Sequence, residues 1–230
     1  MYAQKSVRVI IPALNEEESI GKVIADIPDF VDEVIVVDNG SDDDTISKAE
    51  SAGATVLSEN EIGYGAACLK GIDYAKDKTD IIIFLDGDYS DYPSEMNLIV
   101  EPIINENYDF VLGSRIIGKH SKDALLPQAV FGNKLASFLI KLFWGYTFTD
   151  LGPFRAITTD SLLKLNMVDR NYGWTVEMQI KAAKRKLKSK EVPVSYRKRI
   201  GESKVTGTIK GTVKASIKIL YVIFRSIFSY

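Results

Sequence analysis

Short apolar runs alternate with helical patterns along the first 120 residues. Five runs rich in β-branched residues predict buried strands, at 7–12, 34–37, 55–57, 81–85 and 110–113. Between them, apolar residues recur at helical spacing on one face, as in the stretch that follows Asn15. This alternation predicts an α/β fold in which a mostly parallel sheet carries helices on both faces.

The pattern changes after residue 120. Three helices and one edge strand are predicted there: helices at 135–148, 177–188 and 209–228, and a strand at 191–196. Pro193 is compatible with a strand only at the edge of a sheet. We expect one domain over 1–207, in which the character of the sequence changes near residue 120. A basic amphipathic helix at 208–230 follows it.

Polar clusters stand directly behind four of the predicted strands. They are Ala13–Glu16, Asp38–Ser41, Asp86–Asp88 and Ser114–Arg115. In open α/β sheets, ligands bind in the crevice outside the carboxyl ends of the strands. The sequence therefore predicts a binding site at this edge of the sheet.

The Asp86-Gly87-Asp88 segment places two carboxylates two residues apart at a strand end. Such oxygen ligands suit Mg²⁺ or Mn²⁺, which would neutralise a departing diphosphate. The alternative is that these aspartates only form a turn.

Each of two further segments could either contact a ligand or only form a turn. Asp38 could accept hydrogen bonds from a nucleobase, or it could cap its strand in an Asx turn. The glycines of Gly63-Tyr-Gly65 could let backbone N–H groups approach a ligand, or could form a turn.

Charge is distributed unevenly. The net charge is -2, but residues 1–178 hold 15 basic and 29 acidic residues, whereas residues 179–230 hold 14 and 2. The basic quarter needs an anionic neighbour, such as a substrate phosphate, lipid headgroups or the acidic body of the protein. Four basic residues are candidates for binding phosphate, although each could equally be a surface residue: Arg155, Arg197, Arg199 and Lys204.

The last predicted helix carries Lys210, Lys214 and Lys218 on one side and apolar residues on the other. This pattern suits an anionic membrane surface, and it also suits a helix packed on the body of the protein. Its apolar run at 219–224 is too short to span a bilayer. A nucleic-acid partner is not expected, because the first 178 residues are acidic.

The low cysteine and histidine content argues against several kinds of site. One cysteine and one histidine argue against disulfides, a cysteine-rich zinc site and a Ser-His-Asp triad. The start of the sequence does not have the pattern of a signal peptide, so we expect a location on the cytoplasmic side.

Eight segments together resemble glycosyltransferase family 2, in particular its dolichol-phosphate mannose synthase-like branch and bacterial polyprenyl-phosphate glycosyltransferases. They occur in the family's order: IIPALNEE (10–17), VVDNGSDDDT (36–45), GYGAACLKG (63–71), FLDGDYSDYP (84–93), VLGSR (111–115), TDLGPFRA (149–156), YGWTVEMQIKAA (172–183) and EVPVSYRKRIGESKVTG (191–207). The resemblance covers nearly the whole chain and implies a GT-A fold. It implies a catalytic domain over 1–207, with a nucleotide-sugar half at about 1–120 and an acceptor half at about 121–207.

The resemblance also implies roles for individual residues. The nucleotide-sugar pocket would include Pro12, Ala13, Asn15, Glu16, Asp38, Gly65 and Gly87. Asp86 and Asp88 would hold the metal, and Arg115 would face an acceptor phosphate. Arg199, Ser203 and Lys204 would close over the donor diphosphate. Two positions depart from the family. Ser90 stands where a metal-contacting Gln is common. A second arginine for the acceptor phosphate is expected near residues 127–132, but that segment has none and offers Gln128 instead.

The expected reaction is inverting transfer of a hexose from a UDP- or GDP-sugar to a polyprenyl or dolichyl phosphate at a membrane surface. A phosphate acceptor is already an anion and needs no general base. A hydroxyl acceptor, on a glycan or a small molecule, would need one, and Asp150 and Glu177 are the candidates. A non-catalytic nucleotide-binding module is the alternative of another class, although it would not need Asp86 and Asp88. A nucleotidyltransferase is disfavoured because the loop after the first strand is acidic.

Overall fold

The computed structural model describes residues 2–121, 124–125, 127–201 and 209–228. Within these residues, seven strands form one sheet: β1 Val7–Ala13, β2 Glu33–Asp38, β3 Thr55–Ser58, β4 Ile81–Phe84, β5 Phe110–Ser114, β6 Arg155–Thr158 and β7 Ser189–Pro193. The same described residues form eight α-helices: α1 Ile20–Ala25, α2 Thr45–Ser51, α3 Tyr64–Ala75, α4 Met96–Glu106, α5 Pro127–Trp144, α6 Thr159–Leu165, α7 Trp174–Lys184 and α8 Ile209–Phe228.

The sheet has the order β3-β2-β1-β4-β6-β5-β7. Neighbouring strands are parallel except at β6, which runs antiparallel to both β4 and β5. All four residues of β4 are buried, as expected for a central strand covered on both faces. The predicted α/β fold with a mostly parallel sheet is confirmed.

Apolar residues fill both faces of the sheet. Ile10 belongs to the core beneath α3, α5 and α7, whereas its neighbour Ile11 belongs to the core beneath α1 and α4. This division follows from the two-residue period of a strand. On the first face, the Trp174 and Phe84 rings meet edge to face, with their centroids 5.8 Å apart.

Several boundaries differ from the predicted ones. α5 begins at Pro127 rather than residue 135, because proline fits the first turn of a helix, and it ends at Trp144. The predicted strand at 191–196 lies at 189–193, and β7 is at the edge of the sheet as expected. Three elements were not predicted: α4, β6 and α6.

The final helix was predicted with its observed bounds. α8 packs against α5 and α7, and its residues Val222 and Ile223 are buried. One side of the helix therefore rests on the protein. Among the helices that the structure describes, none is long and apolar enough to cross a bilayer.

Candidate active site

A cleft of about 170 Å³ opens beyond the C-terminal ends of β1 and β4. Seven of the predicted site residues line it: Pro12, Ala13, Glu16, Asp86, Gly87, Asp88 and Arg199. The structure thus brings together residues that lie up to 187 positions apart in the chain, between 12 and 199. Their place at the strand ends follows from the parallel arrangement of β1 and β4.

Two carboxylates form the acidic floor of this cleft. Burial, and then the charge of Asp88, raise the pKa of Asp86 to about 7. Asp88 is held in place by Ser90, whose backbone N–H and hydroxyl donate to Oδ1 at 2.9 and 2.5 Å. Ser90 therefore acts on Asp88 through hydrogen bonds to its carboxylate.

The donor atoms at this floor fit a hard divalent cation. Oδ1 of Asp86 is buried and has no hydrogen-bond donor among the residues that the structure describes. A buried carboxylate oxygen without a partner is unusual, and a bound cation would satisfy it. Over the same described residues, no group of three or more His, Cys, Asp or Glu side chains is placed to hold a metal. The protein's contribution would come from Asp86 and Asp88.

Arg199 lies across the mouth of the acidic floor. Its Nη2 is 3.1 Å from Oδ2 of Asp88 and 3.3 Å from Oε1 of Glu16. Its Nε is buried and has no acceptor within the described part of the chain. This guanidinium lines the cleft and balances part of the carboxylate charge, so an anionic ligand would compete with Asp88 and Glu16 for it.

Asp38 and Asn39 divide the roles predicted for the turn after β2. The Asp38 carboxylate accepts the backbone N–H groups of Gly40 and Ser41, which is the Asx turn. Asn39, rather than Asp38, lines the cleft. The Asn39 side chain also holds the 59–63 loop, because its oxygen accepts the Gly63 N–H at 2.7 Å.

Asn15 lies beside the cleft and shapes the loop after β1. Its backbone N–H donates to the Ser41 hydroxyl, and its side-chain oxygen accepts the Asp42 N–H at 3.0 Å. Asn15 has a positive φ of 53°, a conformation that asparagine tolerates better than most residues. The residue joins the two loops that follow β1 and β2.

The structure gives Gly65 a different task from the predicted one. A Cβ at Gly65 would lie 2.1 Å from the Asp169 carbonyl oxygen, and one at Gly63 would lie 2.1 Å from that of Arg170. The Arg170 carbonyl also accepts the Ala66 N–H. These glycines let the start of α3 pack against the 169–171 backbone, and Gly65 is not part of the cleft lining.

The turn before α7 supplies two cleft residues that sequence reasoning did not single out. Asn171 and Tyr172 line the cleft. Oδ1 of Asp169 fixes their turn by accepting the N–H groups of Asn171 and Gly173 at 2.8 and 3.1 Å. The signal available was Tyr172 at the start of the YGWTVEMQIKAA segment, but nothing in that segment points to a cleft.

Arg115 and Asp150 lie outside the cleft lining, and Arg115 is held by the buried Asp150 carboxylate. Nε and Nη2 of Arg115 donate to the two oxygens of Asp150 at 2.7 and 2.8 Å, and Asn133 of α5 donates to Asp150 at 2.6 Å. Although burial opposes ionisation of Asp150, the charge of Arg115 lowers its pKa. The guanidinium carbon lies 4.9 Å from the centre of the Tyr196 ring. The Arg115 charge also offsets a small part of the rise in the pKa of Asp86.

Glu177 does not join this arrangement. Its carboxylate accepts the backbone N–H groups of Val168 and Asp169 and pairs with Lys181 at 2.8 Å. These bonds tie the start of α7 to the loop before it. Glu177 does not line the cleft, and its contacts indicate a structural role.

Two other basic candidates are also engaged elsewhere. Arg155 is fully buried, donates to backbone carbonyls that include those of Gly152 and Thr175, and has a pKa lowered by burial to about 10. The guanidinium of Arg197 lies over the Tyr89 ring. The interpretation of Arg155 as a phosphate-binding residue is wrong, because no surface of it is open to a ligand. Ser203 and Lys204 lie outside the described residues.

Asp91 is a buried carboxyl group that the sequence did not mark. Among the described residues, neither of its carboxylate oxygens has a hydrogen-bond donor. Burial, and then the charge of Asp86, raise its pKa well above the ordinary value. Its side chain is thus held in an environment that favours the neutral acid.

Comparison with known proteins adds to this geometry. The model of the family described as Glycosyl transferase family 2 matches residues 8–165. An uncharacterized glycosyltransferase of Mycobacterium tuberculosis is 34% identical over 224 residues, which cover 96% of this chain and 99% of the relative. A dolichyl-phosphate hexose transferase of Haloferax volcanii is 35% identical over 211 residues, or 89% and 88% of the two chains.

A solved structure shares the fold. The glucosyl-3-phosphoglycerate synthase of M. tuberculosis, crystallised with Mn²⁺, uridine diphosphate and phosphoglyceric acid, superposes with a TM-score of 0.78 at 22% identity. The match covers 99% of this chain and 80% of the synthase. The strand-end cleft, the GT-A fold and the extent of the family match lead to one conclusion: this chain is a glycosyltransferase that belongs to glycosyl transferase family 2.

Proposed function

We propose that this protein transfers a hexose from a UDP- or GDP-sugar to a polyprenyl or dolichyl phosphate. It works peripherally on the cytoplasmic face of a membrane. The acceptor oxygen attacks the anomeric carbon opposite the diphosphate. A new carbon–oxygen bond forms, the bond to the diphosphate breaks, and the nucleoside diphosphate leaves.

The donor side of the proposal rests on the acidic floor of the cleft. Asp86 and Asp88 would hold Mg²⁺ or Mn²⁺, which when bound neutralises charge on the departing diphosphate. Arg199 lines the cleft and would orient the diphosphate through its guanidinium, whose Nη2 contacts Asp88 and Glu16. Pro12, Ala13, Gly87 and Asn39 supply walls of the nucleotide-sugar pocket.

The acceptor side rests on one observation, the state of Asp150. Its carboxylate already accepts hydrogen bonds from Arg115 and Asn133, and its pKa is lowered. A group so engaged is a poor proton acceptor, and Glu177 lies outside the cleft lining. Neither candidate base is therefore ready for a hydroxyl acceptor. A phosphate monoester needs no base, and Arg115 positions it.

The names of the relatives support this choice. The Haloferax volcanii relative is named a dolichyl-phosphate hexose transferase. The M. tuberculosis synthase structure contains Mn²⁺ and uridine diphosphate, which supports a divalent cation and a nucleotide-sugar donor. The same synthase structure contains phosphoglyceric acid, so a small-molecule acceptor is the second candidate.

The test is nucleoside diphosphate release by purified protein with Mn²⁺ or Mg²⁺ and a panel of UDP- and GDP-sugars. A short-chain polyprenyl phosphate in detergent is present or absent. We expect release that needs one donor and the lipid phosphate, and that Asp88→Asn and Arg115→Met abolish. Asp29→Asn, an exposed carboxylate outside the cleft lining, is the control and should retain activity.

The other outcomes identify the alternatives. Release that ignores the lipid but responds to a hydroxyl compound or phosphoglycerate would replace the acceptor assignment. The folded protein could also bind nucleotide whatever the sugar and release no nucleoside diphosphate. That result would favour a non-catalytic nucleotide-binding module.

A further inference from the structure

One side of α8 exposes a continuous apolar stripe. Val213, Ile217, Tyr221, Phe224 and Phe228 follow one another at spacings of three or four residues, so they share one face of the helix. All are exposed, with Ile217 at 63% and Phe228 at 86%. The opposite side, with Val222 and Ile223, is buried against the protein. The helix is therefore apolar on two sides, and only one of them is covered.

α5 exposes a second stripe with the same spacing. Phe131, Leu135, Phe138 and Leu142 are all exposed, and Phe131 is exposed to 70%. The other side of α5 carries Ala136 and Ile140, which are buried in the core beneath the sheet. Exposed apolar residues at helical spacing on a helix that is already packed are not required for folding.

The two stripes meet. α5 packs against α8, and the Phe143 and Phe224 rings lie edge to face with their centroids 6.2 Å apart. We call the combined surface the α5–α8 face; it comprises Phe131, Leu135, Phe138, Leu142, Phe143, Val213, Ile217, Tyr221, Phe224 and Phe228. Contiguous exposed apolar surface of this kind marks a site of membrane or protein interaction.

The charges around this face indicate which partner fits. Exposed basic residues flank both stripes, with Lys134 and Lys141 on α5 and Lys214 and Arg225 on α8. The sequences of the two helices contain no aspartate or glutamate. A second copy of this face would repel the first, because it offers no acid to pair with these bases. An anionic bilayer offers both an apolar interior and negative headgroups.

The covered sides of the same helices contact the active site. On α5, Asn133 donates to Asp150, which holds Arg115. On α8, Nζ of Lys218 lies 2.7 Å from Oδ2 of Asp169, whose other oxygen fixes the turn bearing the cleft residues Asn171 and Tyr172. Each helix thus has an outer apolar side and an inner polar contact to the site.

We propose that the α5–α8 face docks on an anionic membrane surface, with both helices lying in the interface. This inference rests on the proposed function and deepens it, because it states where the lipid-linked acceptor meets the protein. Asn133 of α5 hydrogen-bonds to Asp150, which holds Arg115, so docking brings the residue that positions the acceptor phosphate close to the bilayer surface.

The experiment is co-sedimentation of the full chain with vesicles of phosphatidylcholine alone or with phosphatidylglycerol. Three variants are compared: Phe138→Ser/Leu142→Ser on α5, Ile217→Ser/Tyr221→Ser on α8, and Lys134→Glu/Lys141→Glu. Wild type should bind only the anionic vesicles. Each apolar pair should lose most of the binding, and the charge reversal should weaken it by roughly 30-fold or more, since each basic residue near the surface contributes about fivefold.

Matched controls lie on other helices. Leu163→Ser replaces an exposed apolar residue of α6, and Lys70→Glu/Lys164→Glu reverses two exposed charges on α3 and α6. The apolar control should bind like wild type, and the charge control should lose far less affinity than the pair on α5. Each variant is also assayed with the short-chain acceptor in detergent, where the docking variants should retain activity. Retained activity separates a failure of docking from a failure of the proposed function.

Three results would overturn the inference. Unchanged vesicle binding by the α5 variants would show that α8 alone docks. Equal losses in the matched controls would show a general charge effect. Absence of vesicle binding, with a dimer that the Ser variants convert to monomers, would identify the face as an interface between copies.

Discussion

The Arg115–Asp150 pair allows a stability prediction with a defined size. Asp150→Asn keeps the shape of the side chain but removes its charge, so Arg115, whose side chain is only 14% exposed, has no counter-ion there. Removing one partner of a buried ion pair destabilises a protein by about 3–5 kcal/mol. Against a typical stability of about 5–15 kcal/mol, the variant should remain folded but have a much lower unfolding midpoint.

The measurement is urea unfolding of wild type and variant at pH 7, analysed by linear extrapolation. Glu106→Gln is the control: it removes a carboxylate that pairs with Lys190 at 2.7 Å on the surface, which should change stability by at most about 1 kcal/mol. The double variant Arg115→Met/Asp150→Asn should recover most of the loss, because it removes both charges and keeps an acceptor for Asn133. An Asp150→Asn variant within about 1 kcal/mol of wild type would refute the reasoning.

The pH dependence of this difference has a fixed sign. The pKa of Asp150 is lowered in the folded protein, so its contribution to stability is present above the unfolded pKa. That contribution is lost as the pH falls through the folded value. The gap between wild type and Asp150→Asn should therefore narrow in acid, and a gap that widens there would contradict the assignment.

Three further predictions concern Asp86 in the cleft and two residues outside its lining, Gly65 and Asp91. Because the pKa of Asp86 is about 7, a cation that binds below that pH must displace a proton. The Mn²⁺ affinity, measured by calorimetry, should therefore increase about tenfold per pH unit below pH 7 and level off above about pH 8. An affinity that does not change with pH would contradict this. Gly65→Ala should weaken donor-nucleotide binding without unfolding the protein. The new Cβ would lie 2.1 Å from the Asp169 carbonyl oxygen and would displace the turn that carries the cleft residues Asn171 and Tyr172. Unchanged nucleotide affinity in a binding titration would refute this. The raised pKa of Asp91 makes its ionised form unfavourable in the folded state. Asp91→Asn should therefore be more stable than wild type at pH 8, and this difference in stability should shrink toward pH 4. Equal melting temperatures of the two proteins at pH 8 would contradict this.

Much of the first half of the fold can be predicted from local pattern. The runs at β1, β2 and β4 are mostly apolar because these strands are largely covered on both faces, and the polar residues that follow them mark the ligand edge. Asp86 and Asp88 were predictable for this reason: both the strand and the carboxylates are visible in one short segment.

Other parts depend on contacts between distant segments. β6 begins with Arg155, a charged residue that no strand pattern favours, and it is buried because carbonyls of the neighbouring loop surround its guanidinium. The glycine at 65 is explained only by the Asp169 carbonyl packed against it. Asp150 resembled a base in the sequence because its partner Arg115 lies 35 residues away.

The position of β6 has a consequence for how the protein forms during synthesis. β5 pairs only with β6 and β7 among the described strands, so a nascent chain that has passed residue 114 still has no ladder for β5 to join. Until residues 155–158 emerge, β4 presents an open edge beside the apolar run of β5, an arrangement prone to intermolecular pairing. The last strands therefore close the middle of the sheet, and a fragment that stops at residue 120 should aggregate rather than fold as an independent half.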